Sequence, residues 1–222
     1  MAVYPNHNPR NNYFAAFCAQ NGLTYVEVTD LTTLSLTSRN ISIQGGDTAS
    51  VTQYKDRIVF NLTTQNSTEY RILGRYFALP ASCTKVAIYI PYISQLGGDT
   101  TQTPGISFWA NTPGTGASNN KLFLWGSSLG LYKVVADAAT QLDAAAVIDN
   151  NRSILWFADK SNSAIWSNTT YPGKKARQSA DTSYPADSAL NQMTHIEFSL
   201  VNQTALNTSQ MIISGPIYYG YA

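Results

Sequence analysis

Charge is scarce in this sequence. Charged residues make up 12% of its 222 residues, about half the fraction found in an average soluble protein. Fourteen basic and 13 acidic residues almost cancel and leave a formal net charge of +1. Nucleic-acid-binding proteins usually carry a basic surface that neutralises phosphates, so we expect no nucleic-acid partner.

Long apolar runs are also lacking. Runs such as residues 86–90 (VAIYI) are far shorter than the roughly 20 residues that a membrane-spanning helix needs, so we expect no membrane integration. The N-terminal residues MAVYPNHNPR lack the basic segment and apolar stretch of a secretory signal. We therefore expect synthesis in the cytoplasm without a signal peptide.

Residues that commonly carry catalysis are few. The histidines are His7 and His195, and the glutamates are Glu27, Glu69 and Glu197. The alternating pattern around His195 is typical of a half-buried strand, and the same pattern predicts that Glu27 and Glu197 face outward. No G-x-S-x-G elbow and no nucleotide-binding glycine motif occurs. We predict no enzymatic activity, no cofactor and no metal site.

Only two cysteines, Cys18 and Cys83, are present. They are too few for a disulfide scaffold, and their apolar surroundings favour buried, unreactive thiols. Whether the two are bridged stays open at this point.

Uncharged polar residues are abundant: Ser, Thr, Asn and Gln make up 73 of 222 residues. Between them, apolar and polar residues alternate with the period of two that is typical of half-buried strands. The pattern predicts an all-β fold, an antiparallel, jelly-roll-like β-sandwich formed as a single domain by residues 23–222. The clearest predicted strands are residues 23–29, 57–63, 85–90, 106–110, 121–125, 153–158, 194–201 and 211–221.

One or two short helices are expected beside these strands. Residues 12–20 (NYFAAFCAQ) place their apolar side chains at helical spacing before an Asn-Gly stop, and residues 136–148 (ADAATQLDAAAVI) are rich in alanine. Residues 167–191 lack hydrophobic periodicity and are predicted to form a surface loop.

The N-terminal arm, residues 1–22, carries four large rings: Tyr4, Tyr13, Phe14 and Phe17. So many apolar rings should not stay in water, so they must pack on the domain's own sheet or on another protein. We expect them to contact a partner.

The sequence contains four tryptophans and 14 tyrosines, which suit either an interface or the stacking of sugar rings. Most of the tryptophans that lie inside predicted strands should be core residues. The aromatic residues predicted to be exposed, for glycan binding or an interface, are Trp166, Tyr218, Tyr219 and Tyr221.

A short aromatic arm precedes a strand-dense body that is poor in charge, with segments such as residues 76–91 (YFALPASCTKVAIYIP) and 211–222 (MIISGPIYYGYA). This texture resembles virion surface proteins of tailed bacteriophages, both capsid cement or decoration proteins and fibre modules. The resemblance implies a non-enzymatic structural protein on the virion surface, commonly a homotrimer, attached to a major capsid or tail protein.

An alternative from another class fits the same residues. A carbohydrate-binding module, such as a lectin-like domain or the receptor-binding part of a tail fibre, would use the exposed aromatic rings to bind a surface glycan. The sequence leaves both functions open.

Overall fold

The computed structural model describes residues 9–43, 45–64, 71–96, 103–114, 119–126, 130–144, 148, 152–170, 177–202 and 207–222, with backbone alone for 9–12, 152, 164, 166–170, 177–182 and 207. These residues contain one α-helix, α1 (Pro9–Asn21), and short 3-10 turns at Leu31–Thr33 and Ser188–Leu190. The described strands are β1 (Thr24–Val28), β2 (Thr37–Ile41), β3 (Thr48–Gln53), β4 (Arg57–Thr64), β5 (Arg71–Cys83), β6 (Lys85–Leu96), β7 (Thr103–Trp109), β8 (Lys121–Trp125), β9 (Leu131–Val135), β10 (Ala138–Asp143), β11 (Arg152–Asp159), β12 (Ala164–Thr170), β13 (Arg177–Ser183), β14 (Met193–Asn202), β15 (Asn207–Ser214) and β16 (Ile217–Tyr221).

The strands form two antiparallel sheets. The seven-stranded sheet has the order β10-β9-β8-β7-β14-β5-β2. The nine-stranded sheet has the order β13-β12-β11-β6-β15-β4-β3, and β16 pairs with both β6 and β1. The predicted antiparallel β-sandwich is confirmed.

The core lies between the sheets because most of the strands have one apolar face. Phe108 of β7 and Trp156 of β11 stack across it with ring centroids 3.8 Å apart. In β14, Ile196, Phe198 and Leu200 point into this core, so the alternate residues of that strand point to the opposite, outer face.

Helix α1 covers the outer face of the nine-stranded sheet. Phe14 and Cys18 are buried there beside Tyr218 and Ala87. The helix can approach closely because Ala87 is small and Gly220, its register partner, has no side chain; a Cβ on Gly220 would lie 2.8 Å from Cys18 Sγ. The helix ends where predicted, with Asn21 Nδ2 donating to the carbonyl of Phe17.

The predicted partner contact of Phe14 is wrong. Its ring is fully buried within its own chain, where it packs against Tyr25, Tyr89 and Tyr218 at centroid distances of 6.1, 5.9 and 6.2 Å. The apolar face of the helix therefore packs on the chain's own sheet. Packing on the domain's own sheet is the alternative to a partner contact that the sequence left open.

The helix predicted at residues 136–148 is also wrong. Residues Ala138–Asp143 form β10, which pairs with β9 across a tight turn. Ala136 and Asp137 occupy this turn with φ of 48° and 66°, a backbone conformation that no α-helix contains. The sequence is rich in helix formers, but strand pairing overrides that local preference.

Two further expectations change in detail. The predicted strand at 211–221 is two strands, β15 and β16, separated by a cis Gly215–Pro216 bond and both paired with β6. The region 167–191 is not a continuous loop, because it contains the end of β12 and all of β13.

In the described part of the chain, no helix is long and apolar enough to cross a membrane.

Candidate functional site

The outer face of the seven-stranded sheet has small residues at its centre. On β5, β14 and β7, the neighbouring outward positions are Gly74, Ser199 and Gly105, so short side chains form the floor. Phe123 of β8 fills this space: a Cβ on Gly105 would lie 2.5 Å from its Cε2 atom and 2.7 Å from Ser199 Oγ. The glycine is therefore required for the ring to lie close to the sheet.

A buried polar cluster lies beside this floor. Glu197 of β14 is completely buried, and both of its oxygens are used. Oε1 accepts from Arg39 Nη1 at 2.9 Å, and Oε2 accepts from Trp109 Nε1 at 2.8 Å. Arg39 also lies over the Trp109 ring, with its Cζ 4.7 Å from the centroid. The prediction that Glu197 faces outward holds for its side of the sheet, but neighbouring side chains cover it.

Lys121 is the second cation of this cluster. Its Nζ lies 4.5 Å from the Trp109 centroid and 4.4 Å from that of Phe123, in the range of cation–π contacts. Only 6% of its surface is exposed. Burial lowers the pKa of Lys121 to about 8; Glu197 acts against this shift and Arg39 adds to it. The ammonium makes no ion pair within 4.0 Å among the described residues.

Several buried polar atoms on this face have no hydrogen-bond partner among the described residues. They are Arg39 Nε and the hydroxyl oxygens of Thr103, Ser107 and Ser199. Buried polar groups in proteins are nearly always paired with protein, water or ligand. A concentration of such atoms on one face therefore indicates a place where water or a ligand completes the structure.

A pocket of about 430 Å³ opens over strands β8 to β10. Its wall contains Phe123, Trp125 and Tyr132, with Lys121 at one side and Asp137 from the β9–β10 turn at another. Trp125 and Tyr132 are half-buried, and the Trp125 ring centroid lies 4.5 Å from that of Phe123 and 6.3 Å from that of Tyr132. The pocket combines an aromatic wall with few charged groups.

The residues predicted for partner or glycan contact do not meet in this pocket. Tyr4 and the side chain of Trp166 lie outside the described residues. Tyr13 is 52% exposed on α1, and Phe17 packs edge-on against Phe157, 5.2 Å between centroids. A partner contact by Tyr13 or Phe17 stays a prediction.

The prediction of exposure is wrong for Tyr218 and Tyr219. Tyr218 is buried under α1, and Tyr219 points to the opposite side, into the core between the sheets. Tyr221 is partly buried and packs against that core. Alternation along β16 does send these rings to different faces, but a helix covers one face and the second sheet covers the other.

The described residues offer little for catalysis. No group of three or more His, Cys, Asp or Glu side chains that could hold a metal occurs among them. His195 accepts or donates a hydrogen bond at Nδ1 with the hydroxyl of Thr194 at 2.8 Å and lies edge-on to Tyr76; burial lowers its pKa. Cys18 and Cys83 are both buried and free, and burial raises the pKa of each thiol to about 11.

Sequence reasoning missed the main residues of this site. The alternation in β8 could have shown that Lys121, Phe123 and Trp125 share one face. No sequence pattern connects Arg39 with Glu197, which are 158 residues apart in the chain. The pairing of β2 and β14 on either side of β5 brings them together.

Comparison with known proteins gives a match in structure alone. No protein-family model and no curated protein sequence matches the chain. A structure of lectin UEA-II complexed with galactose aligns with a TM-score of 0.52 and 10% identity, covering 89% of this chain and 98% of that chain. A Bauhinia forficata lectin in complex with GalNAc aligns with a TM-score of 0.47 and 10% identity over 90% of this chain and 98% of the other. A Lotus tetragonolobus seed lectin gives 0.48 and 8%, over 83% and 97%.

The UEA-II structure is that of a lectin, so the resemblance to bacteriophage surface proteins gains no support from it and stays a prediction. At 10% identity, the match to UEA-II shows a common fold and not a common ligand. The chain is an antiparallel β-sandwich with the architecture of that lectin.

Proposed function

We propose that this protein is a carbohydrate-binding module and that the aromatic pocket over β8 to β10 is its binding site. The observation that carries the proposal is the convergence of the half-buried rings of Trp125 and Tyr132 on one pocket of about 430 Å³. Small-molecule sites are typically concave, mostly apolar and about 300–1,000 Å³ in volume.

The chemistry of the wall suits a sugar. One face of a sugar ring carries C–H groups, and its edge carries hydroxyls. An aromatic ring with a polar atom at one end can pack against the C–H face of the sugar, and its polar atom can hydrogen-bond to the hydroxyls at the edge. Trp125 and Tyr132 both have this character, whereas Phe123 closes the pocket on its apolar side.

The fold supports the proposal by analogy. The UEA-II structure was obtained with galactose, so a sandwich of this architecture can hold a sugar. The location proposed for this chain rests on its own pocket and not on that analogy.

A glycan array probed with the labelled protein tests the function, followed by calorimetric titration of each glycan that binds. Trp125→Ala should weaken binding at least tenfold, because loss of a central aromatic contact commonly costs about 2 kcal/mol. Tyr54→Ala is the matched control. Tyr54 is an exposed aromatic residue that contacts Arg57, away from the pocket, and its loss should leave binding unchanged.

The proposal fails if no glycan on the array binds, or if Trp125→Ala binds as tightly as the unaltered protein. The capsid-cement function, with a homotrimer and a capsid or tail protein as partners, would then be the remaining prediction. The capsid-cement function requires self-association and attachment to a particle, whereas the carbohydrate-binding function requires saturable binding of a small ligand.

A further inference from the structure

Charge in the buried polar cluster on the outer face of the seven-stranded sheet is unbalanced. Two cations, Arg39 and Lys121, share one buried anion, Glu197. Both oxygens of Glu197 are already engaged by Arg39 and by the indole of Trp109. Asp137, the other carboxylate at the pocket, accepts from the backbone and side-chain amides of Asn119. The described residues thus leave Lys121 without an acceptor and the buried cluster with one more cation than anion, whereas Asp137 is exposed at the edge of the pocket.

Two of the unmet groups can only donate hydrogen bonds. Besides the Lys121 ammonium, Arg39 Nε has no acceptor among the described residues. A buried ammonium without an anion is costly, because its desolvation is not repaid by a charge partner. Cation–π contact with the Trp109 and Phe123 rings offsets part of the desolvation free energy of the ammonium but does not neutralise its charge.

The position of Lys121 places this unpaired positive charge beside the pocket. Its side chain belongs to the wall of the pocket, together with Phe123, Trp125 and Tyr132. The Nζ atom lies 4.4 Å from the Phe123 centroid, and that centroid lies 4.5 Å from the Trp125 centroid. An anionic group on a sugar that packs on Trp125 can therefore reach the ammonium across the Phe123 ring. In such a partly dry site, attraction between opposite charges is several times stronger than in water.

We propose that the pocket selects an acidic sugar, whose carboxylate or sulfate pairs with the ammonium of Lys121 while its ring packs on Trp125 and Tyr132. This inference rests on the proposed carbohydrate-binding function and names the class of sugar. A neutral sugar would fill the same volume but leave the cation unpaired. Selectivity should thus come from one lysine, and affinity for the ring should come from the aromatic wall.

Calorimetric titration with matched sugars tests the inference. The probes are galacturonate and glucuronate, N-acetylneuraminate, galactose 6-sulfate, and the neutral sugars galactose and glucose. At least one acidic probe should bind tenfold or more tightly than its neutral counterpart. Comparison of the uronates with the sulfated sugar decides which anionic group is preferred.

Lys121→Met keeps the length of the side chain and removes its charge. It should reduce binding of the acidic probe to the level at which the same variant binds the neutral counterpart. Lys121→Gln serves as a second neutral variant if the first does not fold. Lys133→Met is the matched control: Lys133 lies on the adjacent strand β9, but its Nζ pairs with Asp187 at 2.8 Å, so its loss should not change the preference.

The outcomes separate the two proposals. If neutral sugars bind as tightly as acidic ones, or if Lys121→Met keeps the preference, the acidic-sugar inference is overturned and the carbohydrate function stands. If no sugar binds, both are overturned. If an oligoglutamate peptide binds through Lys121 and no sugar does, the site recognises an acidic protein segment, and both proposals are wrong.

Discussion

The ammonium of Lys121 lies 4.5 Å from the centroid of the Trp109 ring, and the Nε1 atom of that ring donates to Glu197. The ring thereby connects a cation without an ion-pair partner, among the described residues, to the one buried carboxylate beside it. Trp109 looks like an ordinary core residue in the sequence. In the structure it organises charge on the outer face of the sheet.

Removal of the Lys121 charge should stabilise the fold. Lys121→Met should raise the free energy of unfolding at pH 7 by on the order of 1–3 kcal/mol, because the buried ammonium is disfavoured and methionine packs well beside aromatic rings. Denaturant unfolding at pH 7 measures the difference. A less stable variant would show that the ammonium contributes to folding and would remove the argument that it is kept for a ligand.

The same residue should make stability depend on pH. Burial lowers the pKa of Lys121 from 10.5 to about 8, so between these values the unfolded chain binds more protons than the folded one. Stability contributed by this group therefore rises with pH from about 8 towards 10.5.

Lys121→Met should lack this rise. Unfolding of both proteins at pH 7, 8 and 9 isolates the effect. Burial also raises the pKa values of other groups, among them Cys18, Cys83, Tyr184 and Tyr219, but both proteins contain these groups, so their contributions cancel in the difference. Parallel curves for the two proteins would contradict the assignment.

Neutralising Glu197 should be damaging. Glu197→Gln leaves Arg39 and Lys121 buried without an anion, and breaking a buried ion pair typically costs about 3–5 kcal/mol. Asp56→Asn is the control, because Asp56 pairs with Arg57 at the surface, where such pairs contribute about 0–1 kcal/mol. Equal midpoints for the two variants in thermal unfolding would show that the cluster is solvated and not buried.

The N-terminal helix should be part of the folded unit. Phe14→Ala removes a fully buried ring and should destabilise the protein by about 3–5 kcal/mol. Tyr13→Ala, at the adjacent and exposed position, should change stability by less than about 0.5 kcal/mol. If both variants unfold at the same denaturant concentration, α1 is not held by the sheet, and its rings are free to contact a partner as first expected.

The strands could be predicted from the sequence because alternation of apolar and polar residues reflects the two faces of a sheet directly. In β14, this pattern correctly separates Ile196 and Phe198 from Glu197. It cannot show what covers the outer face, since that depends on Arg39, far away in the chain. Burial of Tyr218 was missed for the same reason, because α1 covers it.

The error at residues 136–148 has a different origin. Helix propensity is a local preference worth only tenths of a kcal/mol per residue, and pairing with β9 outweighs it. Asn120 contributes as well, because its side-chain oxygen accepts from the amide of Ala136 and holds the turn. Neither contact follows from the alanine content of the segment.

The central claim is that a sugar binds against Trp125. The most direct measurement is an NMR titration that follows the indole N–H signals of the tryptophans during addition of each acidic sugar in turn: galacturonate, glucuronate, N-acetylneuraminate and galactose 6-sulfate. The Trp125 signal should shift in a saturable manner, whereas that of Trp156, stacked on Phe108 in the core, should stay in place. Saturable shifts at other residues with an unmoved Trp125 signal, or no shifts at all, would contradict the account.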